Sequence, residues 1–108
     1  MGTLSGVERK IIMAEIINTQ KFEEIFVNGK GSGIIDFYAD WCGPCKMLAP
    51  VLETVNADVY KINVDADGAL AAKFGIVSIP TLLFFKDGEL YDKVVGLVSK
   101  AEIEERLK

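Results

Sequence analysis

The apolar positions of the chain change period several times, and each change marks an element. Glu15–Asn18 (EIIN) reads as a short strand. Phe22, Ile25 and Phe26 then recur at helical spacing, with Asn18 or Thr19 placed to cap a helix running to about Asn28. Asn28–Gly33 (NGKGSG) is a break. Ile34–Ala39 (IIDFYA) is almost continuously apolar, the pattern of a strand buried on both faces. Met47, Leu48, Val51, Leu52 and Val55 form a second helical stripe, expected to end near Asn56–Asp58, and Pro50 inside it predicts a kink. Val59–Val64 reads as a strand and Ala66–Phe74 as a short helix. Thr81–Lys86 and Glu89–Val95 flank Asp87-Gly88, a dipeptide suited to a two-residue hairpin. Ser99 followed by Glu102 has the spacing of a capping box, opening a last helix to about Leu107.

Strands and helices alternate through the front half, so its strands should be parallel, joined by right-handed crossovers. The hairpin adds an antiparallel pair. The expected fold is α/β: a mixed central sheet with helices on both faces. At 108 residues the chain has room for one core. Residues 1–12 show weak periodicity and Met13 opens the regular pattern. The expectation is a leader or N-terminal extension over 1–12 and a single domain over 13–108.

Composition narrows the function classes. Half the residues are apolar, 26% are charged and the net charge is −4, the balance of a soluble globular protein. There is no basic patch, so nucleic acid is not an expected partner. No apolar run approaches the roughly 18 residues of a membrane span, and the opening MGTLSGVERKII lacks the apolar core of a secretory signal. These features predict a cytoplasmic protein, and they bear on the cysteines, since cytosolic disulfides tend to be transient, catalytic or sensing. The absence of histidine removes a Cys–His nucleophile and any zinc site built with His. No metal is expected, although two chains sharing zinc or an iron–sulfur cluster would satisfy the cysteine count.

Both cysteines lie in Asp40-Trp41-Cys42-Gly43-Pro44-Cys45-Lys46, where a buried strand gives way to a helix. A helix N-terminus carries unpaired N–H groups and partial positive charge, and both favour a thiolate. Cys42 falls at or near the N-cap and is expected to be an exposed attacking thiolate. Cys45, one turn on, is expected to be a shielded resolving thiol. Pro44 suits a first helical turn, where its missing N–H has no partner anyway. A C-x-x-C at a strand-to-helix junction points to redox exchange more strongly than the bare motif does. Asp36 stands alone in an apolar run, so burial should raise its pKa toward neutrality, the range of a proton carrier.

The segment DFYADWCGPCK with the following MLAP is similar to the active-site segment of the thioredoxin family. SIPT (Ser78–Thr81) resembles the family's cis-proline loop, KFGIVSIPTLLFFKDGE extends the match through the hairpin, and KVVG resembles the glycine-bearing loop after it. The resemblance covers about Ala14–Lys108. It implies the thioredoxin fold and a monomeric protein-disulfide reductase without a bound cofactor. Its partners would be a separate thioredoxin reductase and disulfide-bearing target proteins. It also implies that Asp36 lies beneath Cys45 and helps deprotonate it, with Lys61 as the partner of that aspartate. Pro80 would be cis and pack against the cysteines. Trp41, Gly43, Pro44, Val64, Ile79, Pro80, Val95, Gly96 and Leu97 would form an apolar patch for substrate around Cys42. Two departures stand out. The Pro50–Asp65 stretch is shorter than in bacterial members, which leaves the register of Lys61 open, and Tyr38 stands where many members have Trp. An oxidase or isomerase on the same fold, a metal-bridged dimer, and an interaction module with incidental thiols are the rival readings.

Overall fold

The computed structural model describes residues 14–108, so the expectations for 1–12 and for Met13 lie outside the described residues. Strands β1 (Glu15–Ile16), β2 (Gly33–Tyr38), β3 (Val59–Asn63), β4 (Thr81–Lys86) and β5 (Glu89–Val95) form one sheet in the order β1-β3-β2-β4-β5. β1, β3 and β2 run parallel, while β4 is antiparallel to both β2 and β5. The helices are α1 (Thr19–Phe22, winding on as a π-helix through Glu23–Asn28), α2 (Gly43–Leu52), α3 (Gly68–Lys73) and α4 (Lys100–Arg106).

Alternation along β2 assigns the two faces. Ile35 and Phe37 join Ile62, Leu83 and Phe85 beneath Phe22, Phe26 and Leu70 of the α1 and α3 side. Ile34 joins Val59, Leu82, Phe84 and Val94 beneath Leu48 and Leu52 of α2 and Ile103 of α4. Both faces of β2 are therefore dry, as its continuous apolar run requires.

Local chemistry accounts for most boundaries. Asn18, rather than Thr19, caps α1 by accepting the Lys21 N–H at 2.8 Å. Ser99 and Glu102 complete the capping box of α4. Asp87 and Gly88 both take positive φ (53° and 85°), the turn that two-residue hairpins favour. A Cβ on Gly88 would stand 2.7 Å from the Phe26 carbonyl oxygen, so the position demands glycine on two counts.

Two expectations are corrected, and one open point is settled. The first helix is α-helical for only four residues before it widens into a π-helix. α2 ends at Leu52, not near Asn56–Asp58, because Thr54 turns both its N–H (3.0 Å) and its hydroxyl (2.7 Å) onto the Val51 carbonyl. Val55 is buried without being helical. Finally, the short connection to β3 does not disturb the register: Asp36 pairs with Lys61.

Candidate functional site

The carboxyl ends of β2 and β3 and the start of β4 meet at one end of the sheet, where α2 begins. Cys42 is the N-cap of α2 and Pro44 lies in its first turn. The Cys45 N–H points at Cys42 Sγ from 3.2 Å, and the two cysteines are joined as a disulfide with Cα atoms 5.2 Å apart. That N–H is one of the orphan donors of the helix start, and it stabilises negative charge on the sulfur that receives it. Contrary to the expectation of an exposed attacker, Cys42 is as covered as Cys45, each at 4% exposure. Tyr38, Ala39, Val64 and Ile79 pack around the pair.

Asp36 lies two residues before Tyr38 on the same face of β2, deeper in the sheet. It is fully buried, and among the described residues neither carboxylate oxygen has a hydrogen-bond partner. Burial pushes its pKa from 3.8 up to about 6, and the charge of Lys61 opposes the rise. Lys61 does not close an ion pair with it. Its Nζ sits over the Tyr38 ring, 4.4 Å from the centroid.

The Ile79–Pro80 peptide is cis. The loop that carries it is fixed at both ends: the Thr81 hydroxyl donates to the Ser78 carbonyl (2.7 Å), and the Gly96 N–H donates to the Pro80 carbonyl (2.8 Å). The Ile79 carbonyl oxygen comes within 3.9 Å of Cys42 Sγ. Around the cysteines, Trp41, Gly43, Pro44, Val95 and Leu97 are exposed. Val64, Ile79 and Gly96 are partly covered, and Pro80 is buried behind them rather than on the surface.

Two features here were not legible in the sequence. The Trp41 indole N–H donates to Asp65 at 2.7 Å, which fixes a ring that is 70% exposed. Val77, just before the Ser78–Thr81 loop, is a large apolar side chain left 95% exposed. Nothing local marks Asp65, 24 residues from Trp41; only the closure of the sheet brings them together. Among the described residues there is no cluster of three or more metal-ligating side chains, and no helix is long and apolar enough to cross a membrane.

The thioredoxin family model matches residues 13–108. A thioredoxin from Chlamydia caviae is 45% identical over 93 residues, covering 82% of this chain and 89% of that protein. The chloroplastic M-type thioredoxin of Pisum sativum is 38% identical over 100 residues; the match takes in 87% of this chain but spans only 58% of the pea protein. Among solved structures, a single-substitution mutant of a thioredoxin from Halobacterium salinarum superposes with a TM-score of 0.79 at 37% identity, covering 87% of each chain. Strand order, the helix-capping cysteine pair and these relatives agree: the chain belongs to the thioredoxin family.

Proposed function

We propose that the chain, through a single domain over residues 13–108, reduces disulfides in other proteins. The Cys42 thiolate attacks one sulfur of the target disulfide, and the other target sulfur leaves as a thiolate. Cys45 then loses its proton to Asp36 and attacks Cys42 Sγ. That closes the Cys42–Cys45 bond and releases the second target thiolate. Two electrons have moved to the target, and a separate thioredoxin reductase returns them. The pair itself carries the electrons, with no other cofactor, and a reducing compartment such as the cytoplasm suits it.

The observation that carries this reading is the Cys45 N–H directed at the N-cap sulfur. It favours the thiolate of Cys42 over that of a cysteine within the helix. Asp36, poised near 6, accepts a proton at neutral pH more readily than an ordinary carboxylate. Lys61 opposes that rise by its charge. The rim of Trp41, Gly43, Pro44, Val64, Ile79, Val95, Gly96 and Leu97 offers apolar contact undemanding about side chains. The Ile79 carbonyl beside Cys42 offers main-chain pairing to an extended substrate segment over Pro80.

The test is the reduction potential of the pair in dithiothreitol redox buffers. Thioredoxins are themselves the reference case, at about −270 mV, against about −120 mV for a strong periplasmic oxidant. A value near the low end is expected. A value near the high end would make the chain an oxidase or isomerase on the same fold.

A further inference from the structure

Lys61 and Asp36 are register partners across β3 and β2, yet among the described residues no ion pair joins them. The ammonium rests on Tyr38 instead, 4.4 Å from the ring centroid. Tyr38 is 9% exposed and packs with Ala39, Cys42 and Cys45, so the ring cannot drift, and the cation over it is held with it. We propose that Tyr38 is a positioning residue: its ring holds the Lys61 ammonium near the Asp36 carboxyl rather than releasing it to solvent.

The alternative location for the cation is water. A lysine ammonium is a strongly hydrated point charge on a flexible stem, and Lys61 is only partly covered. Without the ring it moves outward, and Asp36 feels less of it. Glu53 at the end of α2 lines the same pocket as Lys61, but among the described residues Lys61 is the one charge that moves the Asp36 carboxyl. From β2 comes Tyr38, whose phenol burial pushes above its usual value and so keeps neutral, and beyond its end lies the exposed Asp40. From β4 the register partner is Leu82, and from α2 come Leu48 and the cysteine pair, which does not titrate when oxidised. Lys61 is thus what tempers the effect of burial on Asp36. Full contact would drag the carboxyl toward the ordinary range, and full release would leave it to burial alone. The ring fixes a position between the two.

The experiment is a carbon-13 NMR titration of the Asp36 carboxyl in the oxidised protein, where no thiol titrates. Tyr38→Leu and Lys61→Met should each raise the midpoint by about half a pH unit or more. Tyr38→Phe should keep the wild-type midpoint, because the ring remains. Tyr38→Leu combined with Lys61→Met should move it no further than Lys61→Met alone. If Tyr38→Leu shifts the midpoint equally with and without Lys61, or fails to raise it, the ring acts by packing or not at all and the proposal is overturned. Should Tyr38→Leu not fold, Tyr38→Trp replaces it: a midpoint at or below wild type with Lys61 present supports the proposal, and a rise overturns it. The kinetic consequence rests on the proposed role of Asp36, and the two fail separately. If the midpoint moves as expected but the pH profile of mixed-disulfide release does not follow, the Asp36 role falls and the Tyr38 assignment stands.

Discussion

Asp36 is buried at a cost to the fold. Its protonated form is comfortable in an apolar strand and its ionised form is not, so folding raises its pKa from 3.8 to about 6. The sign follows from that direction. The folded state binds the proton more tightly, so the stability linked to this group is fully present below about 3.8 and is lost as pH rises through about 6. The difference of about 2 units corresponds to roughly 3 kcal/mol. Asp36→Asn should therefore stabilise the protein by roughly 2–3 kcal/mol at pH 8, with the gain vanishing near pH 4; urea unfolding at both pH values measures it. This residue was legible in the sequence because one carboxylate in an otherwise apolar run is conspicuous. Its relation to Lys61 was legible only as a family likeness, and the part played by Tyr38 was not legible at all. An ammonium chooses between a carboxylate and a ring by geometry that residues so far apart along the chain do not reveal.

At the scale of elements, what the sequence showed was local chemistry. The hairpin turn, the capping box of α4 and the N-cap of α2 each occupy one short stretch, and each stood where the residue types placed it. The end of α2 and the π-helical widening after α1 did not, because a stripe of apolar positions continues past the point where backbone bonding changes. The contact joining α1 to α3 was likewise invisible. Asp67 caps α3 and also takes the Thr19 N–H (2.7 Å) and hydroxyl (2.7 and 2.9 Å), across 48 residues. The Thr19 hydroxyl, then its N–H, hold the Asp67 carboxyl below its usual range. A lowered pKa means a contribution present above the unfolded value and lost as pH falls through the folded one. Asp67→Ala should cost about 1–2 kcal/mol at pH 7 and progressively less in acid, measured by thermal unfolding across that range.

On the scale of the whole molecule, the sheet brings to one end what the chain keeps apart. β2 and β3 deliver the cysteine pair and Val64 by their carboxyl ends. β4, running the other way, delivers Pro80 by its start, and β5 returns Val95, Gly96 and Leu97 beside it. The proposed apolar rim around the thiol–disulfide oxidoreductase chemistry is thereby drawn from four segments. Leu97 belongs to the proposed rim and is exposed, outside the buried cluster that encloses the cysteines. Leu97→Asp should raise KM for a protein disulfide about five- to tenfold while leaving the potential of the pair unchanged. Steady-state reduction of a protein substrate together with a redox titration separates the two.

The attachment of Cys42 to β2 also has a mechanical meaning. In the proposed exchange a partner protein hangs from this sulfur by a covalent bond, and thermal motion of that partner pulls on it. The pull passes through Ala39, Asp40 and Trp41 into the central strand, which is laddered to β3 on one side and β4 on the other by five register pairs each. Load entering there is shared across the sheet rather than peeling an edge strand. The molecule is anchored at its central strand at the one moment when it is tethered to something large.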